Sequence, residues 1–224
     1  RTEHKVDHTM HFDGLYNRDR KETIFFTDEG RVIPHNRLVN IATIVEDNWP
    51  INHYTNEPHV PREPNLRFSD TPSVGKEKVS TVVVHYGDDY SAGYQLSKGK
   101  GQRLRESNGE PLVDGAGDVP IVVENIIVQA QDLYFVDGVK SSPKIVQLGS
   151  GPFYAFIDGT MVEGIWHRAT ADDFTTYSVD NMPLELKPGK TFIQIVPPEM
   201  FYSMKGVDGE TATFVNGALG MPAE

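Results

Sequence analysis

Arg103, Arg105, Asp114 and Asn125 are the residues whose types and spacing most invite a chemical role. Arg105 stands just before Asn108-Gly109, a strong short-hairpin signal, and Asp114 just after the returning strand. The two can approach across a ladder, where an arginine–carboxylate pair is bidentate and either clamps the hairpin or holds an anion. Asn125 interrupts the apolar run from Pro120 to Gln131. A buried amide must be satisfied, so it either ties down a neighbouring loop or faces a pocket. Trp166 and Arg168 end a later strand. They offer a stacking face and an anion contact, or else a core indole and a solvated guanidinium. His35 precedes a helical pattern, where it is either a general base or part of a capping turn. If His35, Arg105 and Asp114 converge, they supply the base, anion clamp and acid or nucleophile orienter of a hydrolase or transferase.

Other chemistry is absent from the pattern. The sequence implies no metal and no cofactor; the nearest metal candidates are His4, His8 and His11, beside Asp7 and Asp13. Imidazole and carboxylate together would suit zinc or iron. Gly149-Ser150-Gly151 runs into Pro152 and a strand pattern, so it forms no phosphate-binding helix start. Neither a Gly-x-Ser-x-Gly elbow nor a His-Glu-x-x-His pair occurs. With no cysteine in 224 residues, disulfides, thiolate metal sites and a cysteine nucleophile are excluded. That lack is compatible with an exported protein and equally with a cytosolic one.

The net charge of −11 repels phosphate, so no nucleic-acid partner is expected. The basic stretch from Lys98 to Arg105 reads as the solvated flank of a hairpin. An acidic surface also discourages adsorption on anionic lipid. No apolar run approaches the length that crosses a bilayer. The opening at Arg1 is expected to be a processing or cloning boundary, with no signal peptide remaining.

The elements that must hold these residues are mostly strands. Glu22 to Thr27 is β-prone, and a turn is expected from Asp28 to Arg31. Residues 36–46 carry Leu38, Ile41, Ala42 and Val45 at helical spacing behind the competent N-cap Asn36. From Asn48 to Ser73 five prolines exclude a regular helix or central strand, so an extended surface connector is expected. Beyond it come short β-branched runs punctuated by Asn108-Gly109, Asp137-Gly138, Asp158-Gly159 and Asp208-Gly209. The run from Pro120 to Gln131 is the expected central strand. The fold class is α+β and mostly β. An antiparallel sandwich or strongly curved sheet is expected, with one or two short helices at the N-terminal side. Three segments are predicted: 1–47, the remnant of an N-terminal α/β module; 48–78, the Pro-rich connector; and 79–224, a β-rich C-terminal module.

These residues resemble a known pattern. Arg105 to Asp114 with its internal Asn-Gly-Glu-Pro, Asn125 to Gln129, Glu163 to Arg168, and Leu186 to Pro197 are similar in order and spacing to the bacterial YerB-like lipoprotein family. The likeness runs from about residue 79 to residue 198, and Pro34-His35-Asn36 looks like the end of the family's N-terminal module. Ile165 stands where the family has Thr, and Phe192 where it has Trp. The family's domain is of unknown function, so the resemblance transfers no reaction. It implies an exported bacterial envelope protein, tethered only through a lipidated cysteine upstream of Arg1, with an envelope protein or cell-wall glycan as partner. A binding or scaffold role is the leading expectation, with Tyr86, Tyr90, Tyr94 and Trp166 as a contact surface. The enzyme on an envelope polymer is the alternative, and the oligomeric state is open.

Overall fold

The computed structural model describes residues 25–31, 37–40, 42, 51–52, 57–58, 66–87, 90–96, 105–107, 110–114, 119–136, 139–206 and 211–215. The chain divides into two compact units, Arg1–Pro64 and Asn65–Glu224. The first unit contains β1 (Phe25–Thr27), β2 (Arg37–Val39), β3 (Ile51–Asn52) and β4 (Glu57–Pro58). The second begins with β5 (Arg67–Phe68), β6 (Glu77–Lys78), β7 (Thr81–Gly87), β8 (Tyr90–Gln95), β9 (Arg105–Ser107) and β10 (Glu110–Pro111). It continues with β11 (Val113–Asp114), β12 (Val119–Pro120), β13 (Asn125–Ala130), β14 (Leu133–Val136), β15 (Val139–Ile145) and β16 (Gly149–Ile157). It ends with β17 (Thr160–Arg168), β18 (Thr176–Val179), β19 (Met182–Pro183), β20 (Glu185–Leu186), β21 (Thr191–Val196) and β22 (Thr211–Val215). A short helix, Pro198–Phe201, follows β21.

In the first unit β1 and β2 pair antiparallel, with Phe26 opposite Leu38. The turn predicted at Asp28 forms: its carboxylate accepts from the Gly30 N–H at 3.0 Å and from Arg31 Nε at 3.1 Å. The helix predicted from Asn36 is corrected at its start, because Arg37–Val39 is strand β2. Ala42, further on, is helical. Helical spacing on one segment carries no information about a strand partner ten residues upstream, and here the pairing decides.

Two sheets organise the second unit. One has five strands in the order β10-β9-β8-β7-β22. The other has seven: β19-β18-β17-β16-β13-β21, with β6 also pairing β17. Val82, Val84, Tyr94, Ala212 and Phe214 of the first sheet share one core with Ile126, Val128, Phe156 and Val196 of the second. The sheets are not closed, and the unit fits the α+β, mostly-β class expected from the short-strand pattern. A second core covers the opposite face of the seven-stranded sheet and includes Ile127, Phe153, Trp166, Tyr177, Leu184 and Leu186. With cores on both faces, β13 is buried at all six positions. Burying each large side chain in these cores contributes roughly 1.5–3 kcal/mol.

Three predicted turn sequences fall between strands that pair antiparallel. Asn108-Gly109 joins β9 to β10, and Ser107 lies opposite Glu110. Asp137-Gly138 falls between β14 and β15, which pair antiparallel. Asp158 and Gly159 both take positive φ, 48° and 74°, as a two-residue type I′ turn between β16 and β17 requires. Not all pairing is antiparallel: β21 runs parallel to β13, β22 to β7, and β20 to β5. The strands β5 and β6 lie within the expected connector and are laid on the second unit. Asp208-Gly209 lies outside the described residues; on either side of it Lys205 and Thr213 form a bridge, and β22 takes β7 as its ladder partner.

Gly164 tests this packing. A Cβ there would stand 2.3 Å from the Ser178 carbonyl oxygen and 2.6 Å from Phe153 Cζ. Gly87 has nothing within 4 Å of the same position. In urea unfolding, Gly164→Ala is expected to lose about 1–3 kcal/mol, the usual cost of overpacking. Gly87→Ala should stay within about 0.5 kcal/mol of the parent.

Candidate functional site

Asn125 opens β13 and is fully buried. Its Nδ2 donates to the Lys187 carbonyl at 2.9 Å and to Thr191 Oγ1 at 3.1 Å. Its Oδ1 accepts the Lys187 N–H at 2.9 Å. One side chain thus fastens the segment between β20 and β21 to the start of β13. Lys187 extends the same corner, its Nζ lying 2.7 Å from Asp158 Oδ1 and 4.0 Å from Glu124 Oε2. Of the two alternatives for a buried amide, loop anchor or pocket wall, Asn125 is the loop anchor.

Trp166 reaches across a neighbouring strand. Its Nε1 donates to the Ala130 carbonyl at 2.7 Å, and it is 3% exposed. It crosses β16 where Gly151 leaves room; a Cβ at Gly151 would lie 2.8 Å from Trp166 Nε1. A buried indole with its one donor satisfied offers no stacking face, so the ligand-stacking role is corrected to a structural one. Tyr177 stands beside it in the register. Its hydroxyl donates to Gln129 Oε1 at 2.6 Å, and its ring packs edge-on against Phe153 at 5.1 Å. Burial pushes its phenol well above the usual tyrosine range.

Of the remaining candidates, the side chains of Arg168 and Asp114 are among the described residues. Arg168 donates to the carbonyls of Ala171 at 2.7 Å and Thr170 at 3.3 Å, and to Gln147 Oε1 at 3.5 Å. Its guanidinium closes the loop beyond β17 and is directed at main chain, which is the role the contacts assign in place of an anion clamp. Asp114 is exposed in β11, where its Cα partner is Val119. Arg105 lies in β9, opposite Tyr94. The β9–β10 ladder is described as far as Pro111, Asp114 belongs to the β11–β12 pair, and the Arg105 side chain lies outside the described residues. His35, Arg103, His4, His8 and His11 lie outside the described residues. Among the described residues no three His, Cys, Asp or Glu groups form a metal-holding cluster.

The expected tyrosine surface is also corrected. Tyr94 is 1% exposed and accepts from Gln194 Nε2, while the Tyr86 hydroxyl donates to Gln194 Oε1. The Tyr90 side chain lies outside the described residues. What the sequence reading missed is apolar and exposed. Tyr134 (53%), Ile145 (37%), Val146 (42%) and Leu148 (46%) all sit on the β14–β15 hairpin or just after it. Leu133 faces Ile145 and Tyr134 faces Lys144, and the Val146 N–H donates to the Asp132 carbonyl. By strand alternation Tyr134 and Val146 share one face and Ile145 the other. The legible signal was the apolar run Leu133-Tyr134-Phe135-Val136, which presents apolar residues to both faces of its strand.

Residues 82–193 match the family described as "Protein of unknown function (DUF3048) C-terminal domain". The chain belongs to this family. The fold is similar to the crystal structure of YerB protein from Bacillus subtilis, with a TM-score of 0.61 and 22% sequence identity. That match takes in 80% of this chain and 59% of the other. The YerB-like resemblance is thereby borne out, and at this identity the structural likeness speaks for the fold. No curated protein matches the chain.

The buried phenol gives a test with a defined sign. The Tyr177 pKa is raised above its ordinary value of 10.0, so between the two values the unfolded chain has lost a proton that the folded chain keeps. Stability is therefore full below pH 10 and falls as pH rises above it, by up to about 1.4 kcal/mol per unit for one group. Tyr154, also raised by burial first and by Glu163 second, adds to the same decline. Tyr177→Phe should be less stable at pH 7 through loss of its hydrogen bond, by about 1 kcal/mol. It should also show a shallower alkaline decline in urea unfolding between pH 9 and 11. Parallel alkaline slopes for parent and variant would contradict the assignment.

Proposed function

We propose that this chain is an extracytoplasmic binding or scaffold domain of a bacterial envelope lipoprotein, docking a protein partner through the β14–β15 hairpin. The observation that carries the reading is the exposed apolar surface of Tyr134, Ile145, Val146 and Leu148. Exposed apolar patches mark interaction sites, and with Tyr134 and Val146 on one face and Ile145 on the other a partner would clasp the hairpin. Three of the four are aliphatic, which favours a protein surface; glycans are taken up on flat aromatic faces with polar groups around them. Lys144, in the same ladder, gives the patch a cationic rim on an otherwise acidic chain. The buried polar side chains Asn125, Gln129 and Gln194 bind other parts of this fold. That use of them supports a non-catalytic reading of the β-rich module. The outward location rests on the likeness to lipoproteins of the YerB-like family, and the absence of cysteine is compatible with it.

The test uses the full-length protein in its own bacterium. A photo-crosslinking amino acid at Tyr134 is compared with one at Tyr202, which is 72% exposed in another part of the unit. Position 134 should yield a defined adduct with one envelope protein, and position 202 should not. Val146→Asp should cut that adduct at least about tenfold, the effect of losing roughly 1.4 kcal/mol of binding. Protease added to intact cells, or to cells stripped of any outer barrier, should remove the domain. The same adducts from both positions, no adduct at 134, or complete protection from protease would each refute the corresponding part.

A further inference from the structure

The edges of the two sheets are treated unequally. Edge strands offer unpaired backbone groups, and folds blunt them with shortness, charge, proline or a covering segment. β10 and β19 are two residues long and each contains a proline. The outer side of β22 is covered by the segment after the short helix. Lys205 and Thr213 exchange backbone hydrogen bonds of 3.0 Å, and Ser203 Oγ bonds both N–H and C=O of Val215. β21 has none of these devices. Its six residues, Thr-Phe-Ile-Gln-Ile-Val, include no charge and no proline, and its register with β13 is unbroken. Among the described residues nothing pairs with its outer side.

The free groups of this edge can be identified. The Lys190 carbonyl accepts from Asn125 N–H at 3.2 Å, and the Val196 carbonyl from Gln131 N–H at 2.9 Å. Backbone direction alternates along a strand, so Thr191, Ile193 and Ile195 turn their N–H and C=O groups outward. The Ile193 side chain is 38% exposed. These three positions are self-complementary. An antiparallel pairing about Ile193 sets Ile193 against itself and Thr191 against Ile195 of the second copy, each as a hydrogen-bonded pair.

We infer that the outer edge of β21 is a self-association surface, taking β21 of a second copy of this chain antiparallel about Ile193. Charge favours this occupant. Lys190 precedes the strand and Glu199 follows it, both exposed. The antiparallel register brings Lys190 of each copy to the same end of the ladder as Glu199 of the other. The central pairs carry no like charges, which would be destabilising directly opposite one another. The resulting dimer joins two seven-stranded sheets into one continuous sheet and leaves the β14–β15 hairpins uninvolved.

Because the chain has no cysteine, a single one reports cleanly. Hydrogen-bonded antiparallel partners have Cα atoms about 5.5 Å apart, so Ile193→Cys should cross-link to itself with a short bis-maleimide. Ile165→Cys, exposed on β17, should not. In sedimentation velocity at about 0.15 M salt, the parent should show a monomer–dimer equilibrium over about 1–100 µM. Ile193→Lys should weaken it at least about tenfold, with unchanged circular dichroism and melting temperature. A parent that stays monomeric over this range would overturn the proposal. So would undiminished dimerisation of Ile193→Lys, or equal cross-linking from positions 165 and 193, since each places any contact elsewhere.

Discussion

Strand β13 has no face turned to water, and the rest of the second unit is arranged around that condition. A strand buried on both sides must find every hydrogen bond inside the protein, because an unpaired buried group costs about 1–3 kcal/mol. Its ladders to β16 and β21 answer for the backbone. Its side chains raise the same demand, since Asn125 and Gln129 lie among Ile126, Ile127 and Val128. Asn125 is answered by Lys187 and Thr191, and Gln129 by Tyr177. The Ala130 carbonyl is answered by the indole of Trp166. Residues from three other strands and one loop are thereby fixed relative to β13.

This dependence explains why the small residues of β16 and β17 matter. Trp166 and Tyr177 reach β13 across one and two intervening strands, over the sheet face. Such a reach is possible only where the intervening strand has no side chain in the way. Gly151 lies opposite Trp166 in the β16–β17 register, and Gly164 lies opposite Phe153, the ring on which Tyr177 packs. The glycines are thus steric consequences of polar groups buried two strands off. At Gly151 a Cβ would also come within 3.1 Å of the Ala130 carbonyl that Trp166 must reach.

Local signals in the sequence were legible where the structure they encode is local. The Asn-Gly and Asp-Gly pairs fall between paired strands, and Asp158-Gly159 shows the φ angles that decide a two-residue turn. Asp180-Asn181 makes an equivalent turn with φ of 50° and 64°, yet lacks the glycine that would have announced it. The parallel ladders left no trace. β21 meets β13 from more than sixty residues away, and no short-range pattern encodes such a partner. The β11–β12 pairing was illegible for a related reason: Val113-Asp114 found β12, a partner that hairpin counting from Asn108-Gly109 does not consider. Polar residues in apolar strands were read as possible site residues because a buried amide has one sequence signature and two explanations. Which holds depends on where its donors point.

The same accounting locates what the fold leaves unanswered. Polar groups in the interior are mostly matched, so a contact made there would have to break an existing bond before forming a new one. At the β14–β15 hairpin the situation reverses. The hairpin follows β13 in the chain, and three apolar side chains at or beside it are exposed: Tyr134 and Val146 on one face, Ile145 on the other. Gln131, at its base, is 5% exposed and gives its Nε2 to the Val146 carbonyl at 3.1 Å. That bond ties the exposed segment to the buried strand. A surface fixed in this way loses less conformational entropy on binding than a free loop would, because its backbone is already ordered. The strand that organises the interior therefore also holds in place an apolar surface that the interior does not use.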